Sequence, residues 1–119
     1  MVKMNPYLNF DGQAEEAFNF YKSVFGGDFE GGIFRMGEAP GMPITEEEKN
    51  RVMHVSLPIA NGYTLMASDN CPSMGQQLIV GNNNYISLHP DNQEEADRLF
   101  NGLSAGGTIE MPMEDTFWG

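Results

Sequence analysis

Two histidines, one cysteine and scattered carboxylates are the side chains of this 119-residue sequence best suited to ligate a metal, move a proton or attack an electrophile. His54 lies mid-way along Val52–Ile59. Period-2 alternation there sets Val52, His54 and Ser56 on one face and Met53, Val55 and Leu57 on the other. An imidazole so placed could act as a ligand or as an acid–base group. His89 precedes Pro90 at the end of Tyr85–His89, which favours a structural role. Cys71 sits in the turn-like run Asp69-Asn70-Cys71-Pro72 with no neighbouring base, and reads as a plain free thiol rather than a nucleophile. The pair Glu114-Asp115 could bring a carboxylate near Trp118, although exposed acidic pairs are the common case. Glu46-Glu47-Glu48 reads as the solvated opening of a short helix capped by Thr45, not as a catalytic cluster.

The same alternation extends beyond His54. Tyr7 and Asn9 share a face with Asn5, against Pro6, Leu8 and Phe10; Tyr85 shares one with Ser87 and His89, against Ile86 and Leu88. Strands with one apolar and one polar or aromatic face suit a cup, with helices outside and a ligand within. The plainer alternative is a solvated sheet face. The aromatic rings of Tyr7 and Tyr85 favour the cup. The predicted ligand-binding set is therefore Tyr7, Asn9, His54, Ser56, Tyr85 and Trp118.

An internal repeat predicts the elements that position these residues. Leu8, Asp11, Gln13, Glu15, Phe20, Gly26, Gly27 and Glu30 recur as Leu88, Asp91, Gln93, Glu95, Phe100, Gly106, Gly107 and Glu110, always at the same offset and without a gap. Asp11 and Asp91 stand where helix N-caps belong. After Asp11, the residues Ala14, Ala17, Phe18, Tyr21, Val24 and Phe25 form one helical stripe, and after Asp91 so do Ala96, Leu99, Phe100 and Leu103. Gly26-Gly27 and Gly106-Gly107 stop the two helices. Strand-like segments flank them: Tyr7–Phe10 and Phe29–Arg35 around the first, Tyr85–His89 and Thr108–Met113 around the second. Val52–Ile59, the turn signal Asn61-Gly62 and Tyr63–Ser68 complete a β-α-β-β-β module. The expected organisation is α+β, a single domain over 1–119. It comprises module one at 1–71, a Gly- and Asn-rich connector at 72–84 and a partial module two at 85–119. Nothing after Gly119 matches Val52–Ser68, which leaves truncation, an open sheet edge or completion by another subunit as alternatives.

A net charge of −11, with no compensating Lys/Arg cluster, disfavours nucleic acid and anionic membranes as partners. No apolar run approaches the roughly 20 residues of a membrane span. The N-terminus lacks a charged-then-apolar leader, and the lone cysteine suits a reducing, cytoplasmic setting.

The runs Tyr7-Leu8-Asn9-Phe10-Asp11-Gly12, Ala17-Phe18-Asn19-Phe20-Tyr21-Lys22, Val24-Phe25-Gly26-Gly27, Leu65-Met66-Ala67-Ser68-Asp69 and Phe117-Trp118-Gly119 resemble the PhnB-like branch of the vicinal oxygen chelate superfamily, which includes glyoxalase I, bleomycin-resistance proteins and extradiol dioxygenases. The resemblance covers essentially the whole chain. It implies tandem βαβββ modules forming a cupped mixed sheet with helices outside, usually in a homodimer. It also implies a divalent metal in the family's enzymes. The ligand positions it points to carry Asn5, Tyr85 and the stretch Met66-Ala67-Ser68, with no carboxylate before Asp69. Those are poor ligands, so the expectation is no standard metal site and no firm cofactor.

Three functions compete. The first is a small-molecule binding protein using the cup without chemistry, which the missing ligands favour. The second is a metal-dependent lyase, isomerase or dioxygenase of the glyoxalase type, with His54, Asp69 or Glu114 improvising a site. The third is a methyltransferase, a label some relatives carry, but the sequence shows no Gly-rich strand-to-helix loop for a nucleotide-like cofactor.

Overall fold

The computed structural model of the chain describes residues 2–41, 43–60 and 62–109. They form an α+β fold with an open four-stranded mixed sheet and two α-helices. The chain divides into two compact units, residues 1–85 and 86–119.

The first unit runs β1 (Tyr7–Phe10), α1 (Ala14–Phe25), β2 (Phe34–Arg35), β3 (Val52–Ala60) and β4 (Tyr63–Asp69), the β-α-β-β-β order predicted for module one. In space the strands lie β1-β4-β3-β2. β3 and β4 form an antiparallel hairpin whose turn contains Gly62 at φ +82°, where a Cβ would be strained. β1 runs parallel to β4, with Tyr7 opposite Met66 and Asn9 opposite Ser68.

Helix α1 covers one face of this sheet because its stripe is apolar at helical spacing. Ala14 and Phe18 are fully buried against Val55, Leu57, Leu65 and Ala67, with Leu8, Phe10, Ala17, Tyr21 and Phe25 packed around them. The Phe18 ring meets Phe10 and Tyr21 edge-on, at centroid distances of 6.4 and 5.4 Å.

Five local expectations change. β2 is two residues long rather than Phe29–Arg35, because Gly31 and Gly32 both adopt positive φ. Phe29 leaves the strand path to set its ring 6.4 Å from Phe18. On β3, alternation fails at its start. Phe34 pairs with His54 but Arg35 with Val52, so Met53 is an extra residue in a bulge. The bulge turns Val52 into the core beside Val55 and Leu57 and leaves Met53 exposed. Third, Asp11 does not cap α1; a carboxylate from β4 does so, as described below.

In the second unit the described residues contain α2 (Gln93–Ser104), whose stripe buries Leu99. Its cap is Asn92, which accepts from Glu95 N at 2.8 Å, and not Asp91. Both helices are followed by a glycine of positive φ, but Gly26 at φ +83° is itself the C-cap of α1, whereas Gly106 at φ +77° lies one residue beyond the C-cap of α2, Ala105. The fifth change is that Tyr85–His89 is not a strand. A strand exists only beside a hydrogen-bonded neighbour, and among the described residues from Ile86 onward the chain forms only a helix. Tyr85, Ile86 and Leu88 are exposed. Most of the expected strand Thr108–Met113 lies outside the described residues.

Truncating the fully buried Phe18 to alanine is expected to cost about 3–5 kcal/mol, read as a lowered urea midpoint.

Candidate functional site

The side chain that fixes the geometry of the first unit is Asp69, buried at the end of β4. Its Oδ1 accepts from the backbone N–H of Gly12 at 2.9 Å and of Ala14 at 3.0 Å. Its Oδ2 accepts from Val52 N at 2.8 Å. The first N–H groups of a helix lack intrahelical partners, and here a residue 55 positions away satisfies them. Asp11 is thereby released to pair with Arg51, whose Nη1 donates to it at 2.9 Å and to Asn70 Oδ1 at 2.8 Å. The Gly12 backbone, at φ +95°, lies against that guanidinium.

With one sheet face buried under α1, period-2 alternation turns a second set of side chains the other way. Tyr7 and Asn9 on β1, Met66 and Ser68 on β4, and His54 and Ser56 on β3 lie on this face, and Phe34 on β2 pairs with His54. Met66 stands between Tyr7 and Ser56 in the strand register. The rings of Tyr7 and His54 are 6.0 Å apart between centroids. His54 Nε2 and Ser56 Oγ share a hydrogen bond of 2.8 Å, and Ser68 Oγ donates to Asn9 Oδ1 at 3.3 Å. Next to Asn9 and Ser68 opens a cleft of about 240 Å³, completed by Asn70, Gln76, Gln77 and Leu78.

Four of the six predicted site residues, Tyr7, Asn9, His54 and Ser56, therefore share one sheet face. Tyr85 belongs to no strand of the sheet and is highly exposed. Trp118 lies outside the described residues, as do Glu114 and Asp115. His89 is exposed in an irregular segment. Of the residues that sequence reasoning passed over, Met66 and Ser68 were visible through the alternation of Tyr63–Ser68. Asn70 and Gln76 follow the strand and carry no periodic signal.

Glu48 also departs from expectation. Glu46 and Glu47 are solvated, but Glu48 is buried. It accepts from Thr45 N at 2.9 Å, Thr45 Oγ1 at 3.0 Å, Ser73 N at 3.0 Å and Ser73 Oγ. Cys71 Sγ donates to it at 3.4 Å. The hydroxyl of Ser73, then the backbone N–H groups of Thr45 and Ser73, hold this carboxyl down at about 2 against the opposing effect of burial. Burial first, and then the Glu48 carboxylate, push the Cys71 thiol up, which keeps it protonated and unreactive. Glu48 thus fastens the loop at 45–50 to the segment after β4. A shallow cleft of about 590 Å³ lies over this clasp, near Gly12, Glu15 and Arg51. Glu15 is itself held below its usual range by two hydrogen bonds from Arg35, at 3.0 and 2.9 Å.

The described donors do not fit a divalent ion. Asn5 Oδ1 already accepts from Thr64 N at 2.9 Å, and both oxygens of Asp69 hold backbone N–H groups. Among the described residues no three His, Cys, Asp or Glu side chains gather as ligands would. No described helix is long and apolar enough to cross a membrane.

The sequence profile of the 3-demethylubiquinone-9 3-methyltransferase family matches residues 2–118. The chain belongs to this family. It falls within the PhnB-like branch of the glyoxalase and vicinal oxygen chelate superfamily, as the structural neighbours support. Protein YjdN of Escherichia coli K12 is 31% identical over 130 residues, covering 98% of this chain and 82% of that protein. The crystal structure of protein PA1353 from Pseudomonas aeruginosa superimposes with a TM-score of 0.85 at 36% identity, over 99% of this chain and 84% of that one. The PhnB protein from Bacillus cereus gives a TM-score of 0.63 at 27% identity, over 98% and 84%.

The Glu48 clasp predicts a pH dependence. A carboxyl lowered to about 2 in the fold from an ordinary 4.5 binds fewer protons folded than unfolded in between. Its stabilisation is complete above pH 4.5 and is lost as pH falls toward 2. Urea midpoints of the parent and of Glu48→Gln should differ most above pH 4.5 and converge in acid; a constant difference would refute the clasp.

Proposed function

We propose that this protein binds a small molecule on the sheet face opposite α1, without the standard metal site of its superfamily. One observation carries the reading: Tyr7, Asn9, His54 and Ser56 occupy one face beside a cleft. An apolar and aromatic row with a few polar groups next to it is the usual composition of a ligand site. Tyr85 and Trp118 remain part of the proposed ligand set, as residues following the sheet in the chain. A homodimer in the cytoplasm completes the reading, from the family resemblance and the single buried thiol.

The second reading, a metal-dependent lyase, isomerase or dioxygenase, is supported by the superfamily's chemistry and by His54 on the same face. It requires ligands that the described residues do not supply. A methyltransferase has less support still. The β1–α1 turn has one glycine, Gly12, and Asp69 already occupies the helix start that a nucleotide-like cofactor would approach.

The test combines metal analysis with thermal melts. Protein purified without chelator should hold far less than one equivalent of Zn, Ni, Mn or Fe. Its melting temperature should rise by about 2 °C or more with one- or two-ring planar aromatic compounds near saturation, and Tyr7→Ala should abolish that rise. Stoichiometric, tightly held metal would favour the enzyme reading, and melts unmoved by every compound would overturn the binding one.

A further inference from the structure

The cleft beside Asn9 has a chemical polarity that the alternation of the strands does not reveal. Four carboxamides line it, and the protein engages the oxygens of three. Asn9 Oδ1 accepts from Ser68 Oγ at 3.3 Å, Asn70 Oδ1 accepts from Arg51 Nη1 at 2.8 Å, and Gln76 Oε1 accepts from Cys71 N at 2.7 Å. A carboxamide whose oxygen is held is left with its two N–H donors. No described residue accepts from these three NH₂ groups, and all three residues border the same space of about 240 Å³. Two of the holding donors cannot reverse their role: a guanidinium and a backbone N–H donate only, so Asn70 and Gln76 are fixed in this orientation.

Charge narrows the ligand further. No side chain lining the cleft is ionisable. The nearest cation, Arg51, is spent on Asp11 and Asn70. A chain of net charge −11 repels anions at long range, and the lining holds no carboxylate to pair with a cation. A cluster of neutral donors in such a field suits a neutral acceptor. We infer that the cleft is a donor-lined subsite that takes the carbonyl oxygen of an uncharged ligand, whose apolar part lies along Tyr7 and Met66. This rests on the proposed binding face and adds the class of compound recognised there.

The probe is N,N-dimethylbenzamide, a neutral aromatic with an acceptor oxygen and no N–H, compared with benzoate. Side-chain NH₂ resonances of Asn9, Asn70 and Gln76, and ring resonances of Tyr7 and His54, are followed by NMR in the intact chain. The expected result is saturable movement of both sets with dimethylbenzamide and at least tenfold weaker binding of benzoate. Asn9→Asp keeps the oxygen that Ser68 binds but exchanges the donors for an acceptor. On this exposed strand position it should weaken dimethylbenzamide at least tenfold, while Asn19→Asp, the same charge change on the exposed side of α1, stays within twofold. Ring resonances that move while the NH₂ groups do not, benzoate binding of similar strength, or a smaller loss in Asn9→Asp would overturn the donor assignment and leave the binding face intact. Neither probe moving any resonance on the face would overturn both.

Discussion

The carboxylate of Asp69 is the constraint on which the first unit depends. It lies at the end of β4, and its two oxygens reach the start of α1 and the start of β3. One buried group thereby joins the β1–α1 turn, the helix and two central strands. A charged acceptor bonded to backbone N–H groups is among the stronger hydrogen-bonding arrangements available to a protein. Burying it without those partners would be costly, so helix and strand starts hold Asp69 as much as it holds them. Arg51 and Asp11 form a second, more exposed link over the same junction.

This junction makes the sheet two-sided. With α1 pinned across one face, Phe18, Leu57 and Val55 leave water there, and their burial favours folding. The opposite face is then free to carry residues that folding does not require. Tyr7, His54, Ser56 and Asn9 occupy it, and the polar cleft lies where the chain leaves β4 past Asn70 and turns through the segment that Glu48 fastens. The two carboxylates thus serve different ends of one scaffold: Asp69 ties the helix start to the strands, and Glu48 holds the loop and the post-strand segment together.

Much of this was legible in the sequence, and what was missed has physical causes. The stripe from Ala14 to Phe25 and the alternation in Tyr7–Phe10 and Tyr63–Ser68 are local signals, and α1, β1 and β4 follow them closely. Asp11 carries the local signature of a cap, but the helix start is satisfied by a residue distant in sequence, which no local pattern reveals. Asn92 displaced Asp91 in the second helix because an Asx cap needs only a one-residue shift to meet Glu95 N. Val52 entered the core through a bulge, which period-2 reasoning cannot anticipate. Tyr85–His89 alternates like a strand, yet alternation describes a face and supplies no partner to pair with. For the site, residue types on strands placed Tyr7, Asn9, His54 and Ser56 together. The amides of Asn70 and Gln76 were invisible, because their roles depend on which atoms Arg51 and Cys71 engage.

The most direct measurement is the equilibrium urea unfolding of Asp69→Ala. Removing the carboxylate leaves the buried N–H groups of Ala14 and Val52 without acceptors, at about 1–3 kcal/mol each. The account predicts a loss of about 3 kcal/mol or more, with amide exchange at Gly12, Ala14 and Val52 accelerating ahead of the rest of the sheet. A loss below about 1 kcal/mol, with those amides still protected, would contradict it.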